Sequence, residues 1–179
     1  LKTGKELVKA EKSMQNLLED SVNRTNTKIW VMLCDILMKQ YEQGNEKLYL
    51  KQQYDTAAFF SVTKRMYETM AKFDSIDAHL NMLSPVLPKY RERHAQFLNS
   101  IRPNLFNGGT YFLHVKDYKT AYDYFDNYIK TDKQSLFIGY DYEHKDDLMP
   151  HAAYWAMYCG YKLGDTEKTM RYLNLAERD

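Results

Sequence analysis

Two short fragments of the chain contain residue types found in catalytic sites. Ser61-Val62-Thr63-Lys64 has the Ser-x-x-Lys spacing of serine acyl-transfer enzymes, and Lys2-Thr3-Gly4 matches their Lys-Thr-Gly sequence. The Ser-Asp-Asn sequence that accompanies these motifs is absent, and the two fragments occur in the wrong order for that fold. We therefore interpret both fragments as chance matches and predict no catalytic nucleophile.

A group of histidines and acidic residues raises the question of a metal site. His144, Asp146, Asp147 and His151 lie within eight residues of one another, and imidazole with carboxylate could hold a metal ion. The chain has neither a His-Glu-x-x-His motif nor a paired cysteine spacing. A solvated acidic loop before a helix is the preferred explanation of the group, because aspartate near a first turn offsets the helix dipole. We predict no metal or cofactor and keep a metal- or ligand-dependent module at 144–151 as the alternative.

The charge balance argues against two classes of partner. Lys and Arg number 25 and Asp and Glu number 24, and they are interspersed along the chain. Such a chain has no strong field to attract phosphate backbones or anionic lipid, so we expect no nucleic acid partner. The longest apolar run, residues 29–38, contains Asp35 and is too short for a bilayer span. We predict no membrane span.

Hydrophobic spacing predicts an all-α protein. Most segments carry apolar residues three and four positions apart, and only four prolines and seven glycines interrupt the 179 residues. The pattern predicts a first helix from about Gly4 to Asp20 and a helix that ends near Asp74. Pro85 and Pro88 are expected to break the chain before the next helix. The two cysteines are expected to be free thiols in apolar helices.

The segment from Gly108 to Phe125 gives the strongest structural prediction. Its small residues stand where two antiparallel helices would touch, with Gly109 in the first helix and Ala121 in the second. Large side chains fill the remaining positions: Phe112, Tyr118 and Phe125. We therefore predict a helical hairpin in which glycine and alanine notches receive aromatic rings.

This spacing resembles the tetratricopeptide repeat, in which small and aromatic residues recur at set places in about 34 residues. A second copy runs from His151 to Ala176 and departs from the pattern at Met157, Gly160 and Thr169. A weaker copy in residues 26–74 is interrupted by Glu42 to Gln53. The resemblance implies irregular hairpins stacked as a short right-handed α-solenoid. We predict one domain over 1–179, made of an N-terminal helix, a divergent repeat, a helix with the best repeat, an aromatic insert and a C-terminal repeat (1–20, 26–74, 88–131, 132–149 and 150–179).

The same resemblance implies which residues line a concave surface. In the best repeat these include Thr110, Leu113 and His114, and in the last repeat they are His151, Tyr154, Tyr158, Tyr161 and Lys162. Tyrosines one turn apart form a rigid amphipathic surface of the kind found at interfaces. The alternative for Tyr154 and Tyr158 is packing against the aromatic insert.

The resulting functional prediction is a non-catalytic scaffold that binds a protein, a peptide or a glycan. Residues 132–149 are either a contact element or a packing flap, since long loops in compact domains are often functional. Tyr54-Asp55-Thr56-Ala57 and the Arg102 to Gly109 helix resemble a group of exported bacterial repeat proteins, which implies a periplasmic or envelope location. A structural piece of a longer solenoid is a further alternative, and the sequence does not predict the oligomeric state.

Overall fold

The computed structural model describes residues 3–80 and 88–178, and within these ranges the chain is helical with no strand. The predicted all-α class is confirmed, whereas Pro85 lies outside the described residues. The described residues form two compact units, divided between Leu98 and Asn99. The α-helices are α1 (Gly4–Glu19), α2 (Thr27–Tyr49), α3 (Thr56–Leu80), α4 (Arg91–Ile101), α5 (Pro103–His114), α6 (Tyr118–Lys130), α7 (Tyr142–Lys145), α8 (Leu148–Lys162), α9 (Thr166–Met170) and α10 (Leu173–Ala176).

Polar side chains fix where several helices begin. Thr3 and Glu6 form a capping box at the start of α1, and Asn26 caps α2. Asp117 accepts a hydrogen bond from the Thr120 amide at 3.1 Å, and Asp165 caps α9 in the same way. Each side chain satisfies a backbone amide that has no partner within its own helix.

In the first unit, α1 packs on α2 and α2 packs on α3. The apolar faces of these helices meet in a core that is almost fully excluded from solvent, with Leu7, Leu33, Cys34, Leu37, Met66, Met70 and Phe73 at its centre. Most of the segment Glu42 to Gln53, which interrupts the weaker copy of the repeat pattern, is helical, because α2 continues to Tyr49. Gly44 lies inside this extension, and its missing side chain leaves room for the ring of Tyr54.

The helix predicted to end near Asp74 is α3, and it continues to Leu80, so the predicted end is wrong. Asp74 is buried, and its carboxylate receives two hydrogen bonds of 2.9 Å from the guanidinium of Arg91. A buried carboxylate is tolerated inside the fold when it is paired in this way. The sequence pattern marked Asp74 as a polar end, whereas the residue serves as an internal anchor.

In the second unit, α5 and α6 form the predicted hairpin. A Cβ atom built on Gly109 would lie 2.7 Å from two ring atoms of Phe125, and Ala121 is fully buried. Both observations confirm the contact predicted from the Gly108 to Phe125 segment. Close approach of the two helices therefore depends on the glycine, because any side chain there would meet the ring.

The predicted C-terminal repeat departs from a simple hairpin. Helix α8 packs against α6, α9 and α10. The segment predicted as the second helix of this repeat is divided into α9 and α10. Gly160 is a second notch, since a Cβ atom there would lie 2.5 Å from the backbone nitrogen of Thr169. Gly160 and Thr169 are departures from the repeat pattern, yet the backbone of Thr169 lies directly against Gly160.

The aromatic insert folds into two 3-10 turns (Thr131–Lys133 and Ser135–Phe137) followed by α7. Leu136, Phe137 and Tyr142 are buried, whereas Ile138 is 72% exposed. Cys34 and Cys159 are free and buried, as expected, and burial raises the pKa of each thiol to about 12. No helix within 3–80 or 88–178 combines the length and apolar character that a bilayer span requires.

Candidate binding surface

Helix α8 distributes its side chains in an unusual way. Its buried face carries mainly small residues, and its outward face carries large aromatic ones. The buried residues are Met149, Ala152, Ala153, Ala156, Cys159 and Gly160. The outward face has His151, Tyr154, Tyr158, Tyr161 and Lys162, which recur every three or four positions. Five of the residues predicted to line a concave surface therefore share one face of one helix.

Exposure and ring geometry define this outward face. Tyr161 is 71% exposed and Tyr154 is 42% exposed, whereas Trp155 and Tyr158 are half-buried. The ring of Trp155 contacts Tyr154 and Tyr158 edge to face, with centroids 5.1 and 5.7 Å apart. Such contacts restrict the positions of the Tyr154, Trp155 and Tyr158 rings. We call Tyr154, Trp155, Tyr158 and Tyr161 the α8 aromatic surface.

Two further residues border the α8 aromatic surface. Tyr118, at the first position of α6, contacts Tyr158 with ring centroids 6.2 Å apart. The Nζ atom of Lys162 lies 5.5 Å from the centroid of the Tyr158 ring, within the range of a cation–π contact. The sequence analysis had used Tyr118 only as a filler of the α5–α6 hairpin and had not included Trp155.

The three predicted residues of the best repeat lie near the end of α5. His114 is exposed, and Thr110 and Leu113 are half-buried. The Thr110 hydroxyl donates a hydrogen bond of 3.2 Å to the Phe106 carbonyl one turn earlier. Helix α6 packs against both α5 and α8. The two predicted groups therefore lie on two helices that share α6 as a packing neighbour.

The sequence analysis missed the residue that organises the insert. Arg102 is only 4% exposed, and its guanidinium carbon lies 3.8 Å from the Tyr128 ring centroid and 3.6 Å from that of Tyr142. The guanidinium also donates hydrogen bonds to Asp146, to the Thr131 hydroxyl at 3.2 Å and to the Tyr128 carbonyl at 3.1 Å. A planar cation between two rings is well suited to such a site.

The contacts of Arg102 also alter the acidity of their partners. Burial alone would raise the pKa of Asp146, but hydrogen bonds from Tyr128 and Arg102 bring it below its usual value. Burial raises the pKa of the Tyr128 and Tyr142 hydroxyls, so both stay neutral. In the sequence, Arg102 was considered only as the start of the Arg102 to Gly109 helix. An arginine directly before Pro103, in a chain with an acidic aromatic insert, was the signal available.

The contacts of Asp146 bear on the metal alternative. Asp146 is committed to Arg102 and Tyr128, and the Nδ1 atom of His144 lies 2.7 Å from Asp141. His151 lies on the outward face of α8. Across the described parts of the chain, no group of three His, Cys, Asp or Glu side chains is arranged to hold a metal ion. The spacing of these residues in the sequence does not become a cluster in space.

The fold and the surface together define an all-α protein with aromatic side chains on the outward face of α8. No protein-family model, curated protein or solved structure was found to match the chain. The assignment of function therefore depends on the residues described above.

Proposed function

We propose that the protein is a non-catalytic scaffold that binds a protein or peptide partner through the α8 aromatic surface. The observation that carries this proposal is the inverted distribution on α8, where alanines are buried and tyrosines face outward. Burial of large apolar side chains stabilises a fold, so a helix with only a structural role would turn its aromatic residues inward. Tyrosine and tryptophan are also the residues that dominate binding energy at interfaces.

The ordering of the rings supports the same proposal. Tyrosine has few rotatable bonds, and the edge-to-face contacts of Trp155 restrict its neighbours further. A partner that covers these rings therefore loses little side-chain entropy on binding. Lys162 and His151 add polar groups at the border, which is the usual arrangement of a polar rim around an apolar centre.

The tetratricopeptide-like architecture is part of the proposal. The resemblance implies hairpins whose first helices line a concave surface that binds a ligand, and α5 and α8 are the first helices of the two best-matched copies. The fit of Gly109 against Phe125 supports this assignment of helices. The insert, whose Tyr142 packs on Arg102 together with Tyr128 of α6, then serves to hold α5, α6 and α8 in place.

A peptide selection followed by affinity measurement tests the proposal. A random peptide library is selected against the full chain, and the Kd of each selected peptide is measured by fluorescence polarisation. We expect Tyr161→Ala to weaken binding by tenfold or more, about 1.4 kcal/mol. Tyr49→Ala is the matched control, because Tyr49 is 84% exposed and lies on α2.

Two outcomes would contradict the proposal. The first is a selection that yields no binder above background. The second is a set of peptides that bind the Tyr154→Ala/Tyr161→Ala variant as tightly as the unaltered chain. Circular dichroism of each variant checks that helical content is unchanged, so that loss of binding reports the surface and not the fold.

A further inference from the structure

A cavity in the first unit has a concentration of positive charge that the scaffold function does not use. It lies among α1, α2 and α3 and has a volume of about 550 Å³, within the range of small-molecule sites. Four cationic side chains line it: Lys5, Lys9, Lys47 and Arg65. Among the described residues that form its lining, none is an aspartate or a glutamate.

The charge of Arg65 is balanced by a buried carboxylate. Its guanidinium donates hydrogen bonds of 2.8 and 3.1 Å to the carboxylate of Glu11, which is only 6% exposed. Gln40 donates a further hydrogen bond of 2.8 Å to the same carboxylate, and Ser61 contacts the guanidinium. This network places a set of hydrogen-bonded polar groups beside the cavity. Glu11 neutralises Arg65 and none of the three lysines.

The three lysines have no such compensation. None of Lys5, Lys9 and Lys47 forms an ion pair with a carboxylate in the part of the chain that the structure describes. Lys5 and Lys9 are one turn apart on α1, a spacing at which like charges destabilise a helix. Lys5 also lies in the first turn, where the helix dipole disfavours a cation. An anion in the cavity would relieve both of these unfavourable placements on α1 and would pair with Lys47 as well.

The walls between these charges are apolar. Val8 is 57% exposed and lines the cavity with Ala58 and the ring of Tyr54. The Tyr54 ring is seated on Gly44, where a Cβ atom would lie 2.8 Å from it. The Nζ atom of Lys47 is 5.7 Å from the centroid of the same ring, so the aromatic wall also positions one of the cations.

A cavity in the second unit provides an internal comparison. It has a volume of about 450 Å³ and is also bordered by cations, including Lys133 and Arg178. There, however, the Oε2 atom of Glu143 lies 2.9 Å from Nζ of Lys133, and its Oε1 atom lies 3.5 Å from Nη1 of Arg178. Carboxylates in its lining therefore offset part of the positive charge, whereas the lysines of the first unit have no carboxylate partner among the described residues.

We propose that the cavity among α1, α2 and α3 binds a small soluble organic anion, in which a carboxylate or phosphate group is attached to an apolar body. The lysines attract the anionic group, and Val8, Ala58 and Tyr54 contact the apolar body. This ligand class combines the two features that the cavity offers. The site belongs to the first unit and is independent of the α8 aromatic surface.

Octanoate and octyl phosphate are suitable probes, with octanol and acetate as controls that lack the charge or the apolar body. Binding to the full chain is followed by amide chemical shifts in NMR titrations. We expect both octyl anions to shift amides of the cavity-lining residues and to bind at least tenfold more tightly than octanol or acetate. Raising the salt concentration from about 0.05 to 0.5 M should weaken binding, because exposed charges are screened.

A pair of matched variants assigns the effect to the lysines. Lys9→Gln/Lys47→Gln should weaken octanoate binding by about five- to tenfold, since one exposed ion pair contributes up to about fivefold. Lys12→Gln/Lys28→Gln removes the same charge from exposed positions on α1 and α2 outside the cavity lining and should leave the affinity unchanged. Both variants alter exposed side chains, so both are expected to fold.

Three results would overturn this proposal. The first is binding of octanol as tightly as octanoate, because equal affinity would show that charge has no role. Equal losses in the two lysine variants would show that general charge and not the cavity attracts the probe. No shift of cavity amides at millimolar octanoate, including the case in which only anionic phospholipid vesicles bind, would exclude a soluble small-molecule ligand.

Discussion

The contact between Gly109 and Phe125 yields the most direct test of the α5–α6 hairpin. In the Gly109→Ala variant, the new Cβ atom would lie 2.7 to 2.9 Å from three atoms of the Phe125 ring. Ordinary contacts begin at 3.4 Å, so the ring must withdraw by about 3.4 − 2.7 = 0.7 Å. Phe125 is fully buried and contacts Phe106, which leaves it little room to move.

Two opposing free-energy terms set the expected magnitude. Overpacking of a close contact costs about 1–3 kcal/mol. Replacing glycine by alanine inside a helix contributes about 1 kcal/mol of stability. We therefore expect Gly109→Ala to lower the free energy of unfolding by about 1 kcal/mol, and Gly109→Leu to lower it by about 3 kcal/mol or more.

A double-mutant cycle separates these terms. The three ring atoms that meet the new Cβ are Cε1, Cε2 and Cζ of Phe125, and leucine has none of them. In the Phe125→Leu background, Gly109→Ala should therefore become stabilising by about 1 kcal/mol, because only the helix-propensity term remains. The change of sign corresponds to a coupling free energy of about 2 kcal/mol between the two positions.

Urea denaturation followed by circular dichroism measures these differences, and hydrogen exchange of the α5 and α6 amides assigns them to the second unit. Gly4→Ala is a control, since a Cβ atom there meets only a Gln43 side-chain oxygen at 4.0 Å. A Gly109→Ala variant that is more stable than the unaltered chain, with no coupling to Phe125→Leu, would refute the proposed contact.

Two further predictions concern other buried contacts. Gly160→Ala should destabilise the second unit by about 3 kcal/mol or more in urea denaturation, because the obstacle is the Thr169 backbone nitrogen at 2.5 Å; recovery of stability in Gly160→Ala/Thr169→Ala would contradict this reason. Burial, aided by the charge of Arg93, lowers the pKa of His94 from 6.5 to about 4. The unfolded chain thus takes up a proton below about pH 6.5 while the folded chain does not, so stability should fall by about 3 kcal/mol between pH 7 and pH 4. Denaturation at both pH values tests this, and an equal fall in His94→Phe would assign it to other groups.

The helical class and the central hairpin could be predicted because both depend on local spacing. Ala121 and Gly109 occupy fixed places in an amphipathic pattern, and their burial follows from that pattern. Helix ends were less accessible. Asp74 looked like a polar terminus, but its pairing with Arg91 depends on a residue 17 positions away in the chain. No local pattern records that contact.

The same limit applies to the candidate surface. The outward positions of Tyr154 and Tyr161 followed from the repeat spacing, whereas the contribution of Trp155 did not. The role of Arg102 depends on Tyr128 and Tyr142, which reach it from two different segments. Gly160 was interpreted as a departure from the repeat, since the pattern specifies residue types but not how closely a neighbouring backbone approaches.

The position of the insert bears on how the tyrosines of α8 should be interpreted. Packing against the insert was the alternative role for Tyr154 and Tyr158. In the described residues their ring contacts are to Trp155 and Tyr118, while Tyr142 of the insert packs on Arg102. The insert is thus held by a cation and an ion pair and does not need the tyrosines to anchor it. Packing against the insert therefore does not explain their outward placement, and binding is the role that we propose for them.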